Sequence, residues 1–206
     1  MKSIRVKSKA TSQTGGGVVF DGHTYPSIVV DNGQEWMTEN LRTSVYANGD
    51  PIINTWGGMS WHNFTSGAWE HYNRDSQFED PYGKLYNRYA IVDPRNLCPT
   101  GWHVPTLEDW TLLIERLGGD TLAGGKLKST GTQYWQSPNA GASNEIGFNG
   151  LPGGYRQYYY GDCYGIENYT SWWGVPDLII NVGTDNDNAG IGSGGLSGYS
   201  VRCIKD

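Results

Sequence analysis

Thr106-Leu107-Glu108-Asp109-Trp110-Thr111-Leu112-Leu113-Ile114-Glu115-Arg116-Leu117-Gly118-Gly119 is the one stretch of this 206-residue chain with a strong helical period. Leu107, Trp110, Leu113, Ile114 and Leu117 recur at intervals of three and four, which predicts a helix over 107–117 with one apolar stripe. Its ends are marked too. Thr106 is an N-cap with Asp109 three residues on, Glu108 and Asp109 suit the positive end of the helix dipole, and Gly118-Gly119 stops the helix. A shorter helix over about 120–127 is predicted to follow, weakened by Gly124-Gly125. Upstream, Val18-Val19-Phe20, Tyr25 to Val30 and Glu35-Trp36-Met37 are separated by Asp21-Gly22 and Asp31-Asn32-Gly33, which predicts an antiparallel meander. Residues 46–83 mix Gly, Asn, Trp, Tyr and His without either period and read as long loops pinned by aromatic side chains. After Ser129 the chain reads as short strands and glycine-rich loops, with a final strand over 199–204. Residues 1–17 are polar and close on Gly15-Gly16-Gly17, so they read as a flexible leader before a domain at 18–206.

Composition narrows the class. Glycine supplies 30 of 206 residues and charged residues only 17%, against ordinary shares of roughly 7% and 25%. That balance argues against a helical bundle or coiled coil. Nine Trp and fourteen Tyr carry too much apolar area for a disordered chain. A net charge of -6 without any Lys/Arg run argues against nucleic acid as a partner. No apolar run is long enough to cross a bilayer, so no membrane insertion is expected. The basic start Met1-Lys2-Ser3-Ile4-Arg5 is interrupted by Lys7 and Lys9 where a signal peptide needs an apolar core, and no signal peptide is visible.

Six segments in order carry a resemblance: Trp36-Met37-Thr38-Glu39-Asn40-Leu41; Gly83-Lys84-Leu85-Tyr86-Asn87; Leu97-Cys98-Pro99-Thr100-Gly101-Trp102-His103-Val104-Pro105; Ala123-Gly124-Gly125-Lys126-Leu127-Lys128; Gly147-Phe148 with Leu151-Pro152-Gly153-Gly154-Tyr155-Arg156; and Tyr199-Ser200-Val201-Arg202-Cys203. Over about 18–206 the chain resembles the Fibrobacter succinogenes major paralogous domain, and its 103–110 and 201–203 segments are similar to formylglycine-generating-enzyme folds. The resemblance implies an α+β, C-type-lectin-like single domain with few helices, short antiparallel strands and long loops, its ends joined in a small sheet. It also places Cys98 and Cys203 inside family motifs, which implies a disulfide between them in an oxidising compartment, with Cys163 left free. The match departs after Trp172-Trp173, where Gly174-Val175-Pro176-Asp177 and a shorter insert follow.

Catalytic chemistry finds little support. The three cysteines lack the close pairing that formylglycine-generating chemistry needs, the four histidines lack metal spacing and read as structural or exposed, and no nucleophile motif or phosphate loop is present. No cofactor is expected. The oxygen-rich run Asp185-Asn186-Asp187-Asn188 could hold Ca²⁺ or be a polar turn. Binding is the better-supported reading. Residues 157–197 have the Tyr, Ser, Gly, Asn and Asp composition of antibody paratopes, and from Gly174 to Ser197 every residue is one that a codon ending in a pyrimidine encodes. That pattern fits the variable protein of a diversity-generating retroelement, which carries its hypervariable segment at the end of a C-type-lectin-like fold. The expected contacts are Tyr158, Tyr159, Tyr160, Tyr164, Tyr169, Asp177, Asn181, Asp185, Asn186, Asp187 and Asn188, to a protein or carbohydrate ligand on a cell surface or virion. A fixed carbohydrate-binding adhesin, a formylglycine-generating-type enzyme and a purely structural surface protein remain the alternatives. Trp172-Trp173 belongs either to this surface or to the core.

Overall fold

The computed structural model describes residues 8–55 and 60–206. In chain order its strands are β1 (Ser12–Thr14), β2 (Val18–Phe20), β3 (His23–Tyr25), β4 (Ser27–Val30), β5 (Glu35–Met37), β6 (Ile53–Asn54), β7 (Ala68–Glu70), β8 (Leu85–Tyr86), β9 (Trp102–His103), β10 (Gly153–Arg156), β11 (Cys163–Ile166), β12 (Tyr169–Gly174), β13 (Leu178–Gly183), β14 (Gly190–Ser193) and β15 (Ile204–Lys205). The α-helices are α1 (Glu79–Tyr82), α2 (Arg88–Ile91), α3 (Leu107–Arg116) and α4 (Asp120–Leu127). One five-stranded sheet has the order β1-β4-β5-β15-β9 and a second β11-β10-β12-β13-β14, with smaller sheets β2-β3 and β6-β7-β8. Pairing is antiparallel except at β10–β12 and β6–β7. The architecture is therefore α+β with mostly antiparallel strands and few helices, and no helix among the described residues is long and apolar enough to cross a membrane.

The first sheet joins the two ends of the chain, since β15 pairs with both β5 and β9. The meander is cut by Pro26: β2 and β3 form their own hairpin about Asp21-Gly22, while β4 and β5 pair in the larger sheet. Part of the expected leader is sheet. Ser12–Thr14 pairs with β4 in register Ser12↔Val30, and Ala10 is buried in the core. A polar edge strand is held through its backbone, which composition does not report. Residues 1–7 of that expected leader lie outside the described residues, as do residues 56–59 of the expected loop region. The rest of 46–83 contains β6, β7 and single helical turns around buried Trp61, Trp69 and Tyr72. The expected final strand over 199–204 is shorter, with isolated bridges at Tyr199 and Ser200 ahead of β15.

Helix α3 carries both halves of the capping box: the Asp109 N–H donates to Thr106 Oγ1 (3.2 Å) and the Thr106 N–H to Asp109 Oδ2 (2.8 Å). Trp110, Leu113, Ile114 and Leu117 are buried, but Leu107 is 53% exposed, so the stripe begins one turn later than its period implies. Helix α4 forms over 120–127 in spite of its glycines. A Cβ at Gly124 would stand 2.0 Å from the Asn188 carbonyl oxygen and one at Gly125 2.6 Å from that of Gly141, so the glycines let two loops lie against the helix.

Strand β12 is the wall between two cores. Neighbouring side chains on a strand point to opposite faces, and Trp172 and Trp173 obey this. Trp172 packs with Trp110, Phe148 and Ile180 in one core, and Trp173 with Tyr199, Ile179 and the cysteine pair in the other. Their indole N–H groups donate to Asn40 Oδ1 (2.9 Å) and the Tyr86 carbonyl (2.7 Å). Both tryptophans belong to the core. Cys98 and Cys203 form the disulfide, fully buried, and Cys163 is free.

Candidate functional site

Segment 157–197 is not one continuous surface. Ile179, Ile180 and Val182 on β13 are core residues, as are both tryptophans of β12. What remains outward is divided by topology. Because β12 runs parallel to β10 and antiparallel to β13, the turn after β10 lies at one end of the sheet and the β13–β14 turn at the other. Tyr158, Tyr159 and Tyr160 sit on the first turn, 38%, 50% and 72% exposed. Asp185 to Asn188 sit on the second.

The tyrosine turn is held by several contacts. Gln157 Oε1 accepts from the Tyr159 and Tyr160 N–H groups (2.9 Å each). Ser60 Oγ donates to the Tyr159 carbonyl (2.7 Å), and the His62 ring stacks on Tyr159. Beneath it, fully buried Arg156 pairs with Glu70 and lies 4.2 Å over the Trp61 ring. Burial raises the Glu70 pKa despite the neighbouring Arg156 and Arg74 guanidinium groups. Gly161, at φ +78°, closes the turn where a side chain would strike Arg156.

The second turn is organised by a cation that belongs to the chain. Lys128, with no exposed surface, donates from Nζ to the carbonyls of Ala140 (2.6 Å), Gly183 (2.8 Å) and Asn186 (3.0 Å). The Gly125 N–H donates to the Asp187 carbonyl (3.1 Å). An ammonium therefore holds three of the carbonyls around the run considered for Ca²⁺. Among the described residues no group of three or more His, Cys, Asp and Glu is placed to hold a metal. Asp177 is occupied internally, accepting from Ser193 Oγ (2.7 Å) and the Gly195 N–H (2.8 Å). Three histidines pair with carboxylates, His23 with Glu39, His71 with Glu79 and His103 with Asp109 and Asp206.

Between the two turns lies a trough. A hollow of about 230 Å³ is lined by Tyr155, Tyr169, Ser171, Asn181 and Tyr199, and a second of about 390 Å³ continues from Tyr169 and Asn181 to Asn186, Asn188 and Gly190. Strand alternation puts Tyr169 and Ser171 on the same face of β12, and the register Ser171↔Asn181 brings the third residue in from β13. Ser171 Oγ donates to Asn181 Oδ1 (2.5 Å). Tyr155 stacks on Tyr199 with centroids 5.8 Å apart and planes 18° off parallel, and its ring also meets Tyr164 (5.8 Å) and Tyr169 (5.6 Å). Burial pushes the Tyr169 and Tyr199 phenols above their ordinary pKa of 10, so both remain protonated at neutral pH.

The trough thus joins Tyr169, Asn181, Asn186 and Asn188 of the expected contacts, while Tyr164 meets the Tyr155 ring without lining the trough. It does not include Tyr158, Tyr159, Tyr160, Asp177, Asp185 or Asp187. Tyr155, Ser171 and Tyr199 are its unforeseen members. The x-Tyr-x-Ser alternation at 169–171 was visible, but only strand pairing brings Tyr155 and Tyr199 beside it.

The sequence profile of the Fibrobacter succinogenes major domain matches residues 29–205, which takes in the disulfide, both turns and the whole trough. The chain belongs to this family. No curated protein and no solved structure matches the chain itself. Within this Fibrobacter succinogenes major domain, Asn40 ties its own motif segment to that of 199–203 and to two residues outside the motifs: its Nδ2 donates to the Tyr82 carbonyl and Ser200 Oγ, while its Oδ1 accepts from Trp172 and Arg202.

Proposed function

We propose that this Fibrobacter succinogenes major domain is a non-catalytic recognition module on a cell surface or virion that takes a protein or carbohydrate ligand in the tyrosine trough. The observation that carries the reading is the Tyr155–Tyr199 stack beside the Ser171–Asn181 pair. Aromatic faces give large contact area, and neighbouring hydroxyl and amide groups fix orientation. The C-type-lectin-like arrangement is part of this proposal, supported by the sheet that joins the chain ends. A retroelement-diversified segment is supported by the codon-compatible composition of 174–197, with Asn181, Asn186, Asn188 and Ser193 as positions that vary without entering the core.

The cysteines favour binding over formylglycine-type chemistry. Two are locked in a buried disulfide, and burial raises the Cys163 thiol above its ordinary pKa, against reactivity. The fixed-adhesin alternative is favoured by one observation, the half-buried Tyr155 and Tyr169 rings with centroids 5.6 Å apart, aromatic surface suited to a sugar ring. A neutral glycan array read with the parent chain and with Tyr169→Ala tests the trough. Glycan binding lost in Tyr169→Ala, with melting temperature unchanged, supports the saccharide form. A template repeat beside the gene differing from it only at adenines supports diversification. If both searches are negative and Tyr169→Ala unfolds the chain, the trough is scaffold.

A further inference from the structure

A second cavity, of about 430 Å³, is open to solvent and shares no residue with the trough. It is walled by the segment after β5, the turn of α1, and the loops after α4 and Phe148, so segment 157–197 contributes nothing to it. Its charges are graded from floor to mouth. Arg202 is 1% exposed and donates to Asn40 Oδ1 (3.0 Å) and to the carbonyls of Phe148 and Asn149, with its guanidinium 4.2 Å over the Phe148 ring. Among the described residues it has no carboxylate within ion-pair distance. Arg42 lies further out, its side chain 14% exposed, with Nη2 reaching Glu39 (3.2 Å) and Asp80 (3.4 Å). Glu39 is 34% and Asp80 85% exposed in their side chains. The cavity therefore has positive charge at depth and negative charge at its mouth.

Two hydrogen-bonding groups there are unused. Arg42 Nε and Ser129 Oγ are buried atoms without a hydrogen-bond partner. A buried charge that lacks its counter-charge is costly. Burial draws the Arg202 pKa down to about 9, only partly offset by Glu39 in the same cavity. A simple anion would have to pass Glu39 and Asp80. A simple cation would meet Arg202 and Arg42.

We propose that this cavity binds a small zwitterion of the α-amino-acid class, its carboxylate toward Arg202, Arg42 Nε and Ser129 Oγ, its ammonium toward Glu39 and Asp80, and its side chain against Tyr134. The site is independent of the trough and of the function proposed for it. Calorimetric titration of the full chain with glycine, L-leucine and L-phenylalanine, beside butyrate and butylamine as the separated halves, tests it. An amino acid is expected to bind at least about tenfold more tightly than either half, a difference of about 1.4 kcal/mol. Arg42→Gln and, separately, Glu39→Gln are each expected to weaken that binding by about the same factor, while Tyr169→Ala leaves it unchanged. Glu39→Gln keeps the test open should Arg42→Gln fail to fold. No heat with any amino acid at millimolar concentration overturns the proposal, as does butyrate binding equally well, or undiminished binding in a folded Glu39→Gln.

Discussion

Lys128→Met isolates what the chain's own cation does. Methionine keeps most of the apolar stem and volume but removes the ammonium that donates to Ala140, Gly183 and Asn186 at 2.6, 2.8 and 3.0 Å. Hydrogen bonds to a charged group contribute about 1.5–3 kcal/mol each, so three give roughly 5–9 kcal/mol in gross terms. Against that stand the several kcal/mol of burying an ion, which methionine avoids, and the recovery of water by Asn186, whose residue is exposed. The Lys128 contact with the Trp135 ring at 5.5 Å adds about 0.5–1 kcal/mol to the loss. The net expectation is a destabilisation of about 2–4 kcal/mol, a fall of about 1–2 M in the urea midpoint at a slope near 2 kcal/mol/M. The loss should be local first. The amides of Gly125 and Ala140, which donate to Asp187 and Thr184, should exchange faster in the variant than those of α3. An unchanged or raised midpoint would refute the reasoning, because ion burial would then outweigh the three bonds.

Trp110→Ala should cost about 3–5 kcal/mol, since the ring is fully buried among Trp36, Phe148 and Trp172; a midpoint shift worth under about 1 kcal/mol would contradict that packing. Gly124→Ala should destabilise, although alanine raises helix propensity by up to about 1 kcal/mol, because its Cβ would collide with the Asn188 carbonyl; a higher melting temperature would contradict this. Unfolded, non-reduced protein should titrate one thiol, Cys163, and replacing both Cys98 and Cys203 by Ala, which opens a separation of 105 residues, should cost about 4–5 kcal/mol. Stability should fall as pH rises from about 10. Burial lifts Tyr25 and Tyr46 to about 12 and Tyr86 well above 10, so the folded state holds protons that the unfolded chain releases. Lys128 and Arg202, whose pKa values burial lowers, oppose this, but they are two groups against seven tyrosines that burial raises. A urea midpoint that does not decline on titration past the unfolded tyrosine pKa would refute it.

Local chemistry was enough to announce α3 and α4, the hairpin about Asp21-Gly22 and the turn before Glu35, because caps, glycines and periodicity act within a few residues. The family motifs likewise named Cys98 and Cys203 as partners. What the chain could not announce depends on which strands lie side by side. Ser12–Thr14 became sheet through backbone pairing that its polar side chains do not signal. The Tyr- and Asn-rich segment read as one paratope, yet the parallel step from β10 to β12 sends Tyr158–Tyr160 to one end of the sheet and Asp185–Asn188 to the other. The same step places Tyr155 beside Tyr169, and the bridges at Gly198, Tyr199 and Ser200 bring in Tyr199. Adjacent Trp172 and Trp173 entered different cores because β12 is covered on both faces, a burial that a two-residue period cannot disclose by itself. Lys128 lies in a motif segment that reads as the end of a helix, and only the convergence of three carbonyls from loops 12, 55 and 58 residues away makes it the centre of a turn. Short-range sterics and capping are properties of the sequence; registers, faces and charge burial are properties of the assembled sheets, because they need partners that the chain supplies only once it has closed on itself.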